Sequence, residues 1–300
     1  MSGESDEAAS WLDHVSGAGR LPERRTLVDL VASRPALEQL YAHYQTPKEV
    51  MVEEWAVGTR WSTTPPGERL RRRAATPTGR VLSVHGGGWA LGAPRLDRAW
   101  THRLALGGLD VFAAGYSLAP EAAFPTAVGE CAQAIYATFH DAAEVVIAAY
   151  SAGANLAVAA LLCLADAGWT PPQLRVHLAY GIYDLADLRT DPAGGTHLPD
   201  LWRTAYLGAA SSPLQTHPYA SPLRAANRLP PGAYCLQCGT DDALLDQTRA
   251  LAAALDDSDE CAVELHLVDG GVHGFLKAVD PTPAEREAQD AALRFCGAQT

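Results

Sequence analysis

Val145-Val146-Ile147-Ala148-Ala149-Tyr150-Ser151-Ala152-Gly153-Ala154-Asn155-Leu156-Ala157 is the stretch from which the rest of the chain can be read. Apolar, largely β-branched residues run straight into Tyr-Ser-Ala-Gly and then into Ala/Leu-rich sequence, so a buried strand turns sharply into a helix. The serine stands on that turn with small neighbours that let strand and helix approach closely, and its hydroxyl is exposed at the strand tip. Ser151 is therefore a candidate nucleophile, although a serine in this place also serves as an ordinary helix N-cap.

Working outward, short apolar runs recur at 81–84, 111–114, 145–149, 174–180, 233–238 and 263–268, between longer Ala/Leu-rich stretches. Strands alternating with crossover helices predict an α/β fold with a mostly parallel sheet and helices on both faces. Helices are expected at 127–139, 152–167, 245–255 and 283–295, the last with Thr282 as cap and Pro283 at the first helical position. Residues 1–50 precede the first strong strand and, from residue 8, carry apolar side chains at mixed helical spacing. They predict an N-terminal helical lid or appendage, with residues 51–300 as the main domain. A turn-rich insertion at about 184–216, holding Trp202, Tyr206 and Leu207, predicts a second lid element.

Lys and Arg total 23 against 35 Asp and Glu, a formal net charge of −12, which repels polyanions and argues against nucleic acid and anionic membrane surfaces as partners. The basic cluster Arg69-Leu70-Arg71-Arg72-Arg73 reads as a solvated loop or strand edge. The acidic N-terminus lacks a signal-peptide pattern, and no apolar run approaches a membrane span, so a soluble cytoplasmic protein is expected. Six scattered cysteines predict free, mostly buried thiols. Cys235 and Cys238 form a CxxC, but on a strand positions i and i+3 point to opposite faces, and no second ligand pair follows.

Three further segments bear chemistry, each at the end of a predicted strand. His85-Gly86-Gly87-Gly88-Trp89 leaves backbone N–H groups uncovered beside a substrate oxygen, as an oxyanion hole requires, and lacks the Gly-Lys-Ser/Thr of a phosphate loop. Thr240-Asp241-Asp242-Ala243-Leu244-Leu245-Asp246 offers three carboxylates, and Asp269-Gly270-Gly271-Val272-His273-Gly274-Phe275 offers a histidine. Serine, acid and histidine in that chain order form a nucleophilic set whose acid is Asp241, Asp242 or Asp246. Trp89, Tyr150, Trp202 and Tyr206 are candidate pocket residues.

Taken together, these segments make residues 80–275 resemble the hormone-sensitive-lipase-like branch of the α/β-hydrolases. His85-Gly86-Gly87-Gly88 is similar to its HGGG signature, and Tyr116-Ser117-Leu118-Ala119-Pro120-Glu121 with Phe124-Pro125 to its Tyr-x-Leu-Ala-Pro-Glu…Phe-Pro block. Ser221-Pro222-Leu223, Asp242-x-Leu244-x-Asp246 and His273-Gly274-Phe275 continue the match in order.

The resemblance implies an α/β-hydrolase fold and hydrolysis of carboxylic esters of small or medium acyl groups. It assigns Ser151 as nucleophile, His273 as base and Asp242 as acid, with the amides of Gly86, Gly87 and Ala152 as oxyanion hole. It implies a small-molecule acyl substrate, no metal or organic cofactor, and admits a homodimer. The same triad would serve an amidase, deacetylase, thioesterase or acyltransferase, and the fold could survive as a non-catalytic ligand-binding module. Ala149-Tyr150 stands where the family usually has Gly-Asp, Ser117 where Arg is common, and Ala122-Ala123 where His-Pro is common. These departures bear on substrate preference and local support more than on reaction type.

Overall fold

The computed structural model describes residues 26–41, 44–57, 64–188, 198–208, 211–278 and 280–299. Eight strands form one sheet: β1 (Val50–Trp55), β2 (Gly67–Arg72), β3 (Gly79–Val84), β4 (Leu109–Ala114), β5 (Val145–Tyr150), β6 (Leu174–Ala179), β7 (Gly232–Gly239) and β8 (Cys261–Val268). Their spatial order is β1-β2-β4-β3-β5-β6-β7-β8. The six strands read from sequence are all present and run parallel from β4 through β8, while β1 and β2 pair antiparallel with each other and β2 antiparallel with β4.

The parallel strands are near-continuous apolar runs because helices cover both faces. Along β5, Val145, Ile147 and Ala149 pack into one core, together with Ile135 of α4 (Thr126–Phe139), Leu156 of α5 (Ala152–Asp166) and Leu251 of α8 (Leu245–Asp256). Val146, Ala148 and Tyr150 pack into the other, with Trp100 and Leu104 of α3 (Arg98–Leu106) and Leu293 of α9 (Pro283–Phe295). Helix α9 starts where the sequence places it, with a complete capping box between Thr282 and Glu285.

The arginine cluster lies on β2, second from the sheet edge. The charges of β2 are matched by its neighbours: Arg69 makes a bidentate pair with Asp110 of β4, Arg71 reaches Glu53 of β1, and Glu68 holds Arg98 at the start of α3. The N-terminal region contains α1 (Leu27–Ala32) and α2 (Arg34–Tyr41). Residues 1–25 and 42–43 of the expected appendage lie outside the described residues, and the expected boundary at 50 falls on the first residue of β1. The insertion before β7 carries α6 (Leu198–Leu207) and the short α7 (Ser211–Leu214), with 189–197 and 209–210 outside the described residues. No helix among the described residues is long and apolar enough to cross a membrane, and all six cysteines are free.

Candidate active site

Ser151 leaves β5 and caps α5 with φ 54° and ψ −129°, a backbone region costly for any residue with a Cβ. Surrounding contacts hold it there. Its amide donates to Ala179 O at 3.0 Å, and its carbonyl accepts from the Ala154 amide at 3.0 Å. A Cβ on Gly153 would stand 2.3 Å from Val84 O and 2.4 Å from His85 O, so glycine alone lets α5 approach the end of β3 this closely. The Ser151 side chain makes no capping bond to its own helix. Its Oγ lies instead 3.0 Å from Nε2 of His273.

His273 follows β8 and is oriented by Asp242 from the turn after β7. The imidazole Nδ1–H donates to Asp242 Oδ2 at 2.9 Å, while Asp242 Oδ1 accepts the Leu244 amide at 2.9 Å. With Nδ1 donating, Nε2 presents its lone pair to the serine hydroxyl, the tautomer that lets imidazole take the hydroxyl proton. Asp242 is buried, whereas Asp241 and Asp246 are exposed, so of the three carboxylates left open by the sequence, Asp242 is the one that meets the ring. The ring of Tyr180 packs edge-on against His273, 4.8 Å between centroids.

The glycine loop lies directly beside the serine: a Cβ on Gly86 would stand 2.9 Å from Ser151 Cβ. Gly87 holds φ 119°, accessible only to glycine at low cost. Ala152 is the first residue of α5, so its N–H has no acceptor within the helix. His85 supports the loop from behind, stacked on Tyr116 at 4.1 Å with its Nδ1 2.8 Å from Gly86 O. Burial holds its imidazole below the usual range.

Of the four aromatic pocket candidates, Tyr150 and Trp202 line the narrow cleft over Ser151, whereas Trp89 and Tyr206 do not line it. Those two are buried and stack on each other, centroids 4.5 Å apart and planes 9° apart. The stack joins α6, through Tyr206, to the glycine loop that carries Trp89. The cleft also takes Leu37 from α2, Leu91, Leu96, Asp97, Tyr180 and Lys277. None of these belongs to a motif that local sequence could flag; they are gathered by the fold from the N-terminal helices, the loop after Gly88, the end of β6 and the turn after His273. Elsewhere, Cys235, Glu264 and His266 bring potential metal-ligand atoms within 4.8 Å of one another on β7 and β8. Burial there pushes the Cys235 thiol strongly up, away from the thiolate a metal needs.

Comparison with known proteins agrees with this architecture. A family model described as alpha/beta hydrolase fold matches residues 81–277. An acetyl-hydrolase of Streptomyces hygroscopicus is 36% identical over 199 residues, 61% of this chain and 64% of that protein. A stretch of 99 residues is 40% identical to the FAD-linked oxidoreductase pytB of Aspergillus terreus. The chain thus spans less than two thirds of the length of these two curated relatives, and only 12% of the second. Among solved structures, a thermostable esterase from Pseudomonas putida superposes with a TM-score of 0.79 at 21% identity, covering 100% of this chain and 99% of that one. A hormone-sensitive lipase from a metagenome library gives 0.74 at 23%, covering 90% and 93%. The resemblance carried by the glycine loop, the elbow and the downstream Asp and His is borne out across about two thirds of the sequence: the chain belongs to the α/β-hydrolase fold family.

Proposed function

We propose that this protein is a serine hydrolase that cleaves carboxylic esters of small acyl groups. The observation that carries the reading is the continuous relay of Ser151 Oγ, His273 and Asp242, with contacts of 3.0 and 2.9 Å, opening into one cleft. Leu37, Leu91 and Leu96 give the cleft an apolar wall, which suits a small acyl group. The acetyl-hydrolase and esterase relatives point to the same chemistry.

In this reading His273 takes the Ser151 proton as Oγ attacks the ester carbonyl, and Asp242 stabilises the imidazolium that forms. The amides of Gly86, Gly87 and Ala152 meet the tetrahedral oxyanion, each worth about 3 kcal/mol in the transition state. The imidazolium returns its proton to the leaving alcohol, and water, activated by the same histidine, releases the acid. The helices α1 and α2 and the segment bearing α6 act as a lid: Leu37 and Trp202 bring them onto the cleft. Six free cysteines suit a reducing, cytoplasmic setting.

The test is hydrolysis of p-nitrophenyl acetate by the wild type and by Ser151→Ala prepared identically. Turnover confined to the wild type is expected. Equal turnover by both proteins overturns the reading.

A further inference from the structure

Asp97 and Lys277 lie 180 residues apart in the chain and meet inside the catalytic cleft. Asp97 ends the short helical turn Pro94–Asp97 that follows the glycine loop, and Lys277 ends the turn Phe275–Lys277 that follows His273. Lys277 Nζ donates to Asp97 Oδ1 at 3.0 Å, with side chains 14% and 4% exposed. The same ammonium stands 5.0 Å from the centre of the Tyr150 ring. Tyr150 is the residue beside the nucleophile that departs from the acidic family pattern, and its ring faces the ammonium.

A buried ion pair is stable when each oxygen of its carboxylate is satisfied. Here one is not. Asp97 Oδ2 is closed off from solvent and has no hydrogen-bond partner among the described residues. Asp97 lines the reaction cleft, and a carboxylate oxygen there that is left without a donor is what a specificity contact looks like before a ligand reaches it by shifting the side chains that cover it. The surroundings select the donor. Leu37, Leu91 and Leu96 make the adjacent wall apolar, and the ammonium already on Oδ1 repels a second cation. A neutral O–H or amide N–H fits; an ammonium does not.

We infer that Asp97 Oδ2 is a substrate-recognition acceptor, and that the preferred substrates are small carboxylic esters carrying a neutral hydroxyl or amide donor close to the scissile carbonyl. Lys277 and Tyr150 are positioning residues that hold the carboxylate in register. The inference rests on the ester-hydrolase reading of this cleft and names its substrate class.

The experiment compares isosteric pairs in which a hydroxyl replaces a methyl: p-nitrophenyl lactate against p-nitrophenyl isobutyrate on the acyl side, and glycol monoacetate against propyl acetate on the alcohol side. The readout is the ratio of kcat/KM within each pair, so a general loss of activity cancels. It is measured for the wild type and for a double variant, Asp97→Leu with Lys277→Met, which removes both charges together and leaves no lone buried ion. The wild-type ratio is expected to exceed that of the double variant by about tenfold or more in one of the two pairs. Equal ratios in both pairs, with the alkyl esters still cleaved, overturn the recognition site and leave ester hydrolysis standing. A loss of kcat/KM from wild type to double variant that is larger for p-nitrophenyl alaninate than for the lactate ester overturns the neutral donor. A wild type that cleaves none of these esters and resists fluorophosphonate labelling overturns both readings.

Discussion

Trp89 donates its indole N–H to Oδ1 of Asn155 across 3.3 Å, joining the glycine loop to the helix behind the nucleophile. Asn155 is fully buried and donates its own amide to Ala220 O at 2.9 Å, so one side chain ties three segments together. Trp89 itself sits at φ 60°, a strained value that this contact helps to hold. Replacing Asn155 with Ala leaves a buried donor and a buried carbonyl unpaired, a loss of about 2 kcal/mol. Urea unfolding should show that loss, and kcat should fall more than KM rises, because the donor loop loosens. An Asn155→Ala protein with wild-type stability and kcat would refute the tie.

Two glycines separate close approach from mere helix punctuation. Gly153→Ala drives a Cβ to 2.3 Å from Val84 O, and the elbow must open to receive it. The variant is expected to lose more than about 3 kcal/mol or fail to accumulate folded. Gly129, inside α4, has nothing within 4 Å of its added Cβ, so Gly129→Ala should stabilise by about 0.5–1 kcal/mol. Thermal melts of the two variants side by side test both signs.

How much of this was legible follows from where the information lies. The parallel strands and the elbow are written locally, because a strand covered on both faces must be apolar throughout and the turn after β5 tolerates only small residues. β1 and β2 escape because their charged residues are satisfied in the fold, Arg69 and Arg71 across strands and Glu68 by Arg98 of α3, which hides the period-two pattern. Aromatic character alone makes Trp89 and Tyr206 pocket candidates, yet the two rings find each other and become core. Leu37, Asp97 and Lys277 lie far apart in sequence, and the folded sheet brings them to the cleft.

The acid of the triad can be tested without removing it. Asp242→Asn keeps the size of the side chain, but an amide in place of Oδ2 would favour the imidazole tautomer with the proton on Nε2, facing Ser151. By analogy with other Ser-His-Asp enzymes, kcat should fall by about 10⁴-fold. Fluorophosphonate labelling of Ser151 should slow in parallel. An Asn variant within tenfold of wild type would exclude Asp242 as the orienting group.

Arg34 fixes the N-terminal helices to the site. Its guanidinium donates to Ala90 O at 2.9 Å and to Ala119 O at 2.7 Å, and it makes a bidentate pair with Glu121. The same contact holds the Glu121 carboxyl below the usual range. Leu37, one turn along α2, forms part of the cleft wall. Arg34→Ala should therefore raise KM for a small ester roughly fivefold, equivalent to about 1 kcal/mol, with a smaller change in kcat. A change confined to kcat would argue that α2 does not shape the binding space.

Stability should fall as the medium turns acid, through a group far from the catalysis. His177 is fully buried on β6, its Nε2 3.1 Å from Gln237 Oε1, which in turn places Gln237 Nε2 against Ala288 O. Burial pulls the imidazole down to about 4, and the hydrogen bond to Gln237 offsets only part of that. The unfolded chain protonates this histidine near 6.5, so between that value and 4 the unfolded state binds the extra proton and gains relative to the folded one. The contribution is fully present above about pH 7 and declines by up to about 3 kcal/mol toward pH 4. His102, pulled to about 4 by burial and by Arg98, acts in the same direction. Urea midpoints taken from pH 8 down to pH 4.5 should therefore drop more steeply for the wild type than for His177→Gln, whose amide does not titrate. Parallel pH profiles for the two proteins would show that His177 carries no share of the acid sensitivity.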